Sequence, residues 1–207
     1  MTRDTTRDTT RDTVPDTFAT MADAPLLACV AERQNGAFDE LFARHAPSVS
    51  RLAHAVLPSP NDAEDVVQNV FLAVHRFAKS FRGDASVRTW LLTITRNESL
   101  RTRARARRHT PFRSLDELGV EAGWGTQTPE QMATLLEQKD TLRTALDSLP
   151  ADVREIIVLR DLEGMSGQET ADMLGISLAA AKSRLHRSRL ELKRALQRAL
   201  RQEVIEC

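Results

Sequence analysis

Three observations predict an all-α fold: two small helical domains joined by a flexible linker, the C-terminal one a helix-turn-helix. Apolar residues recur at helical spacing along most of the chain, and no alternating strand pattern appears. The eight glycines, at 36, 83, 119, 123, 125, 164, 167 and 175, all fall where a helix end or loop belongs. Pro111, Gly119, Gly123, Gly125 and Pro129 crowd into under twenty residues, the composition of a linker between two domains.

Taken in order, residues 2–13 are three copies of Thr-Arg-Asp-Thr, with balanced charge and nothing to bury. Residues 1–24 therefore read as a disordered tail, punctuated at Pro15 and followed by Pro25. Helices are predicted near 26–34, 37–57 (broken or kinked at Pro47), 62–79 and 86–108. In DAEDVVQNVFLAVHRF, Asp62 suits the N-cap, and Glu64 and Asp65 suit the positive end of the helix dipole. Val66, Val70, Ala73, Val74 and Phe77 form its apolar stripe, which leaves Asp65, Gln68 and Asn69 facing outward. In FRGDASVRTWLLTITRNESLRTRARARR, Phe81 and Trp90 bracket a polar turn containing Gly83, and the helix behind them ends in alternating arginines. Stacking on aromatic rings contributes about 1–3 kcal/mol per unpaired base, with cations holding the backbone. A core role for Phe81, Trp90 and Leu91 is equally compatible with this segment alone. These helices make a first domain over 25–109, followed by an acidic linker over 110–135 in which Trp124 sits between two glycines.

The second domain, 136–207, holds helices predicted near 130–148, 151–162, 167–174 and 178–201. Ser166 is a good N-cap, and Glu169 three residues later completes a capping box. The helix stops at Gly175, where a sharp turn needs a left-handed residue; Ile176 can plug the core at that turn, and Ser177 caps the next helix. That is a helix-turn-helix, whose second helix enters the DNA major groove. In the second helix, Leu178, Ala181, Leu185, Leu192 and Leu196 form the core stripe. Lys182 and His186 share one line and Ser183 and Arg187 the line beside it, all in the first half, which meets base edges in this motif. Residues 182–201 carry eight cations against Glu191, a net +7.

The formal net charge of zero hides a segregation. Residues 96–108 hold six arginines against Glu98, a net +5, and residues 114–163 hold eleven acids against four bases, a net −7. Local patches govern phosphate attraction, because screening limits the reach of charge to about 8–10 Å. Cys29 and Cys207 form no CxxC pair and no zinc spacing, so two unpaired thiols in a reducing compartment are expected. The five histidines, His45, His54, His75, His109 and His186, fall at no metal or triad spacing, and no Gly-rich phosphate loop is present. The expectation is a protein with no catalytic residues, no metal and no cofactor. No apolar run approaches the ~18 residues of a membrane span, and the N-terminus lacks a secretory apolar segment. A soluble, cytoplasmic protein is expected.

At this point the chain resembles a known family. Through AFDELFARH, DAEDVVQNVF, FRGDASVRTWL and ITRN, the stretch from Ala37 to Arg108 resembles the polymerase-binding and minus-10 domain of the sigma-70 family, closest to its extracytoplasmic-function (ECF) sigma factors. Through LDSLPADVREIIVLRDLEGMSGQETADMLGIS and KSRLHRSRLELKRAL, the stretch from Leu142 to Leu200 resembles their minus-35 domain. The resemblance spans residues 26–200 and implies an RNA polymerase initiation subunit serving a stress- or signal-responsive regulon. It implies that Asp65, Gln68 and Asn69 dock on the clamp helices of the polymerase largest subunit, with further contact to the flap of the second-largest. It implies that Phe81, Trp90 and Asn97 hold a flipped minus-10 base, with Arg96 and Arg101 on adjoining phosphates. Lys182, Ser183, His186 and Arg187 would read the minus-35 element, and Arg184 and Arg189 would touch phosphate. The acidic linker would thread the RNA exit path, and an anti-sigma factor would hold the protein inactive.

Two departures stand out. The family often has Glu where this chain has Asn69, and Gly-Thr-Val where it has Ala179, Ala180 and Ala181. The smaller Ala181 fills less of the core under the recognition helix, at a cost of about 0.5–1.5 kcal/mol. The alternative is a stand-alone helix-turn-helix regulator binding paired half-sites as a dimer. It leaves DAEDVVQNVF and the aromatic–arginine segment unexplained.

Overall fold

The computed structural model describes residues 18–109 and 140–206. All regular structure among them is helical. The N-terminal bundle comprises α1 (Asp23–Ala31), α2 (Ala37–Val56), α3 (Pro60–Phe77), a 3₁₀ turn at Ala78–Ser80, and α4 (Val87–His109). Residues 140–147 are helical (α5), followed by α6 (Ala151–Ile157), which opens into a wide π turn over Val158–Leu162. Then come α7 (Gly167–Leu174) and α8 (Leu178–Glu206). The expected linker 110–135, the first part of the helix expected near 130–148, the Thr-Arg-Asp-Thr repeats and Cys207 lie outside the described residues.

The first core forms where α1, α2, α3 and α4 turn their apolar stripes inward: Leu26, Leu27, Leu41, Val49, Val66, Val70, Val74 and Leu91 are all buried. Residues 18–24 fall inside the stretch expected to be a tail, yet they pack here. Phe18 is buried in this core, and the Arg44 guanidinium donates to the carbonyls of Phe18, Ala19 and Met21 at 2.6, 2.9 and 2.6 Å. α2 runs uninterrupted through Pro47, against the expected break. The N-cap of α3 is Ser59, not Asp62: Ser59 Oγ accepts the Asp62 N–H at 3.3 Å, and Pro60 takes the first helical position, where its missing N–H costs nothing. Phe77, expected in the α3 stripe, is 54% exposed. The following turn meets the core through Ala78 instead, and Phe71 is the buried aromatic, packed edge-on to Phe38 at 6.2 Å.

A second core lies within the C-terminal domain, where Ala145, Leu149, Val153 and Ile157 meet Ala195, with Leu192 and Leu196 beside them. A third cluster joins the two domains: Leu52, Ala55, Val56 and Leu92 of the bundle pack against Val158, Leu159 and Met165.

Candidate functional site

The helix-turn-helix is built as its caps dictate. Ser166 Oγ accepts the Glu169 N–H at 3.2 Å while Glu169 accepts the Ser166 N–H at 2.9 Å, the reciprocal pair of a capping box. Gly175 ends α7 with φ 68° and ψ 36°, a conformation that penalises any residue with a Cβ. Ser177 Oγ then accepts the Ala180 N–H at 3.2 Å and starts α8.

On α8 the residues sort by angle at about 100° each. Ala181, Leu185, Ser188, Ala195 and Ala199 are buried, with Leu192 and Leu196 half-buried. Leu178, expected to open this stripe, lies at its solvent rim. Lys182, Ser183, His186 and Arg187 are all exposed on the opposite side of the helix. Arg184 and Arg189 sit at the two edges of the buried stripe and are engaged within the domain. Arg184 donates to the Asp152 carbonyl at 2.8 Å, and Arg189 forms a two-point pair with Asp161 at 2.5 and 3.0 Å. Arg184 is thus not brought together with the other four expected groove-facing residues.

The expected minus-10 set divides across α4. Phe81 and Trp90 meet edge to face, 5.5 Å between ring centroids, half-buried against the first core. Asn97 and Arg101 follow Trp90 by 7 and 11 residues, close to two and three helical turns, so they share its side of the helix, and both are exposed. Arg96 lies about 120° around from Trp90. Its guanidinium donates to the buried Glu155 carboxylate at 2.6 Å, so it belongs to the junction between domains.

On α3, Asp65, Gln68 and Asn69 are exposed on one side, as expected. Leu72, one turn further along the same face, is also exposed and was missed by the sequence reading. Its only signal is an apolar residue off the stripe, at i+3 from Asn69 and i+4 from Gln68.

The other missed feature is Glu163. The π turn ends with its N–H donating to the Val158 carbonyl at 2.8 Å, which aims its side chain at the bundle. That carboxylate is 0% exposed and accepts from Arg51 of α2 at 2.7 Å and from Arg88 of α4. Burial pushes its pKa up, but hydrogen bonds from Arg51, Ser48 and Arg88 outweigh this and hold it below the ordinary value. Glu169 is likewise held down, by hydrogen bonds from Ser166 and from Thr89 of α4, whose hydroxyl donates to it at 3.0 Å. Arg154 crosses the same junction, donating to the His54 carbonyl at 3.1 Å. No sequence motif marks these pairs, which join residues 59 to 112 positions apart.

Among the described residues there is no cluster of metal-ligating side chains and no helix long and apolar enough to cross a membrane.

Comparison with known proteins gives one family. Residues 41–109 match the sigma-70 region 2 model, and residues 139–192 match the model of sigma-70, region 4. The chain is 37% identical to the ECF RNA polymerase sigma factor SigM of Mycobacterium tuberculosis, over 84% of this chain and 85% of that protein. It is 29% identical to the ECF RNA polymerase sigma-E factor of Escherichia coli, over 87% of this chain and 97% of that protein. Among solved structures, it resembles the sigma factor RpoE of Bartonella quintana, solved with the anti-sigma factor NepR. The TM-score is 0.59 at 26% identity, over 77% of this chain and 96% of that one. It also resembles CnrH, solved with the cytosolic domain of CnrY, with a TM-score of 0.56 at 29% identity over 86% and 98% of the two chains.

Proposed function

Because the chain belongs to the sigma-70 family, as a sigma factor of the extracytoplasmic-function type, we propose that it binds core RNA polymerase, recognises minus-35 and minus-10 promoter elements and starts transcription of a specific signal-responsive regulon. The observation that carries this reading is the exposed row Lys182, Ser183, His186 and Arg187 on the second helix of a capped helix-turn-helix, in a chain whose other half matches region 2. The match over 41–109 counts against a stand-alone regulator, which has no use for that half.

The division of labour follows the two domains, 25–109 and 136–207, with the acidic 110–135 between them in the RNA exit path. The exposed row on α8 enters the major groove of the minus-35 element, where bidentate contacts discriminate bases by about 1–3 kcal/mol each. Arg184 and Arg189 hold α8 in position through Asp152 and Asp161. At the minus-10 element, Phe81, Trp90 and Asn97 receive a flipped base and Arg101 holds phosphate. Flipping costs a few kcal/mol, which a shaped pocket recovers for one base only. Arg96 joins them once its pair with Glu155 is broken. Asp65, Gln68, Asn69 and Leu72 form the polymerase-facing surface, an apolar centre with a polar rim. Two structural relatives were solved in complexes, RpoE with the anti-sigma factor NepR and CnrH with the cytosolic domain of CnrY, which supports an anti-sigma factor for this chain as well.

The test is transcription from a genomic promoter library by bacterial core polymerase, with and without the protein. New starts only when both are present bear the reading out, and shared upstream sequences give both elements. Specific duplex binding by the protein alone, with no new starts, overturns it. Asp65→Arg is expected to lower core binding at unchanged helicity; an unchanged pull-down would remove α3 from the docking surface.

A further inference from the structure

We propose that the cavity between the α1–α2 loop and the end of α3 binds a nucleoside phosphate, with Arg33 on the phosphate and the Phe38–His75 ring pair under the base, and that its occupant competes with core polymerase. The site stands on its own geometry; the competition rests on α3 being the polymerase-facing helix.

The sequence places an arginine where the backbone favours glycine. α1 ends at Ala31, and its last turn is closed by the Gln34 N–H donating to the Cys29 carbonyl and the Arg33 N–H to the Val30 carbonyl, both at 3.0 Å. That closure needs a left-handed residue, a seat usually taken by glycine. Here it is Arg33, with φ 62°, the one residue with a Cβ and a positive φ among the described residues. Strain of this kind gathers at ligand clamps, where the side chain is what the position is kept for. The fold itself makes no use of this guanidinium: it has no ion-pair partner among the described residues.

The same loop walls a cavity of about 490 Å³, within the roughly 300–1,000 Å³ of small-molecule sites. Val30 and Phe38 are its apolar lining, Gln34 and Asn35 offer amides, and Arg33 supplies the charge beside His75. None of the described lining residues is acidic, so the cavity suits an anion. A guanidinium fork matches a phosphate through two parallel hydrogen bonds. The His75 ring stacks on Phe38 with centroids 4.1 Å apart and planes 24° from parallel, and Phe71 fixes Phe38 edge-on at 6.2 Å. His75 is otherwise exposed, so a planar base can extend the pair, as bases do on aromatic side chains. Gln34 Nε2 donates to Glu32 at 2.9 Å, which leaves the Gln34 carbonyl oxygen and the Asn35 amide for the edge of the base.

The position of the cavity gives it a consequence. His75 follows Leu72 by three residues and Gln68 by seven, so it lies on the same side of α3 as the polymerase-facing residues. A ligand stacked there covers the end of that surface. Linkage then requires core and ligand to weaken each other by the same factor.

The probe is AMP, measured on the full chain by equilibrium dialysis, with adenosine, inorganic phosphate and benzoate as competitors. Expected are one saturable AMP site with a dissociation constant below about 1 mM, and displacement by each competitor only at about ten-fold higher concentration or more. Arg33→Gly relieves the strained backbone, so its thermal midpoint stays or rises, while its AMP affinity falls at least about ten-fold, the scale of a charge-assisted pair. His75→Ala is expected to lower AMP affinity about ten-fold and to leave the binding of inorganic phosphate unchanged. AMP at about ten times its dissociation constant is expected to weaken core binding at least about five-fold. No saturable binding, or full AMP binding by Arg33→Gly, which would put the ligand on the other basic faces, overturns the site. Displacement by phosphate or benzoate as readily as by AMP itself overturns the nucleoside phosphate as its ligand. Undiminished core binding in the presence of AMP overturns the competition. If the parent binds no core at all, the sigma reading falls, and the dialysis results still decide the site.

Discussion

α4 and α8 are the two arginine-rich helices of this chain, and each leaves some cations open and binds others, α8 within its own domain through Arg184 and Arg189 and α4 across the domain junction. The first half of α8 presents Lys182, Ser183, His186 and Arg187 to solvent, while Arg88 and Arg96 of α4 are bound to carboxylates with little or no exposure. The acids on both sides come from the same net-negative segment. Glu155 and Glu163 turn toward the bundle, and Asp152 and Asp161 clamp the edges of α8. A basic run therefore says that a helix can attract phosphate; whether it is available depends on what the tertiary fold lays across it. The positions on α8 opposite its core stripe stay open, whereas the face of α4 that carries Arg96 is a packing surface.

The largest way to break this contrast is to open the junction from its apolar centre. Leu159 is fully buried between the domains, and Leu159→Ala is expected to cost about 2–5 kcal/mol by transfer and cavity terms. Chemical denaturation measures the loss, and hydrogen exchange on α4 is expected to rise with no change on the exposed face of α8. Next, equivalent truncations on the two helices should differ in kind. Arg96→Ala strands the buried Glu155 carboxylate and is expected to destabilise by about 3 kcal/mol, while Lys182→Ala stays within about 0.5 kcal/mol. Equal stability losses would mean that the two helices hold these cations alike.

A smaller effect sharpens the α8 side. Arg187→Ala is expected to weaken promoter binding by about 1–3 kcal/mol, with the loss confined to one base position of the minus-35 element. Uniform loss across all promoter sequences would reassign Arg187 to a phosphate. The smallest effect concerns pH. His45 and His54, both on α2, are held below their ordinary value of 6.5, chiefly by burial. Their folded-state pKa is depressed, so between that value and 6.5 the unfolded chain binds more protons, and stability falls as pH drops through 6.5. The thermal midpoint is expected to fall by roughly 1–3 °C between pH 7.5 and 6, and His45→Gln should flatten that slope. Glu163 acts in a separate window: its stabilisation is present above its ordinary value of 4.5 and is lost only at lower pH. Acid loss of the domain junction near pH 6 would contradict that assignment.

What the sequence by itself determined is local. The capping box at Ser166 and Glu169, the left-handed stop at Gly175 and the outward Asp65, Gln68 and Asn69 all rest on contacts within about one helical turn, so residue spacing is enough to read them. The all-helical class and the exposed row on α8 follow from the same periodicity. Where a local rule met a competing neighbour, the reading slipped by up to three residues. Pro60 moved the α3 cap back to Ser59, Ala78 displaced Phe77 from the core, and Leu178 ended at the rim of its stripe. The tertiary structure alone decided which charges pair. Glu163 meets Arg51 across 112 positions and Glu155 meets Arg96 across 59. A charged residue carries no sequence mark of burial, because its desolvation is offset only by a partner that folding brings to it.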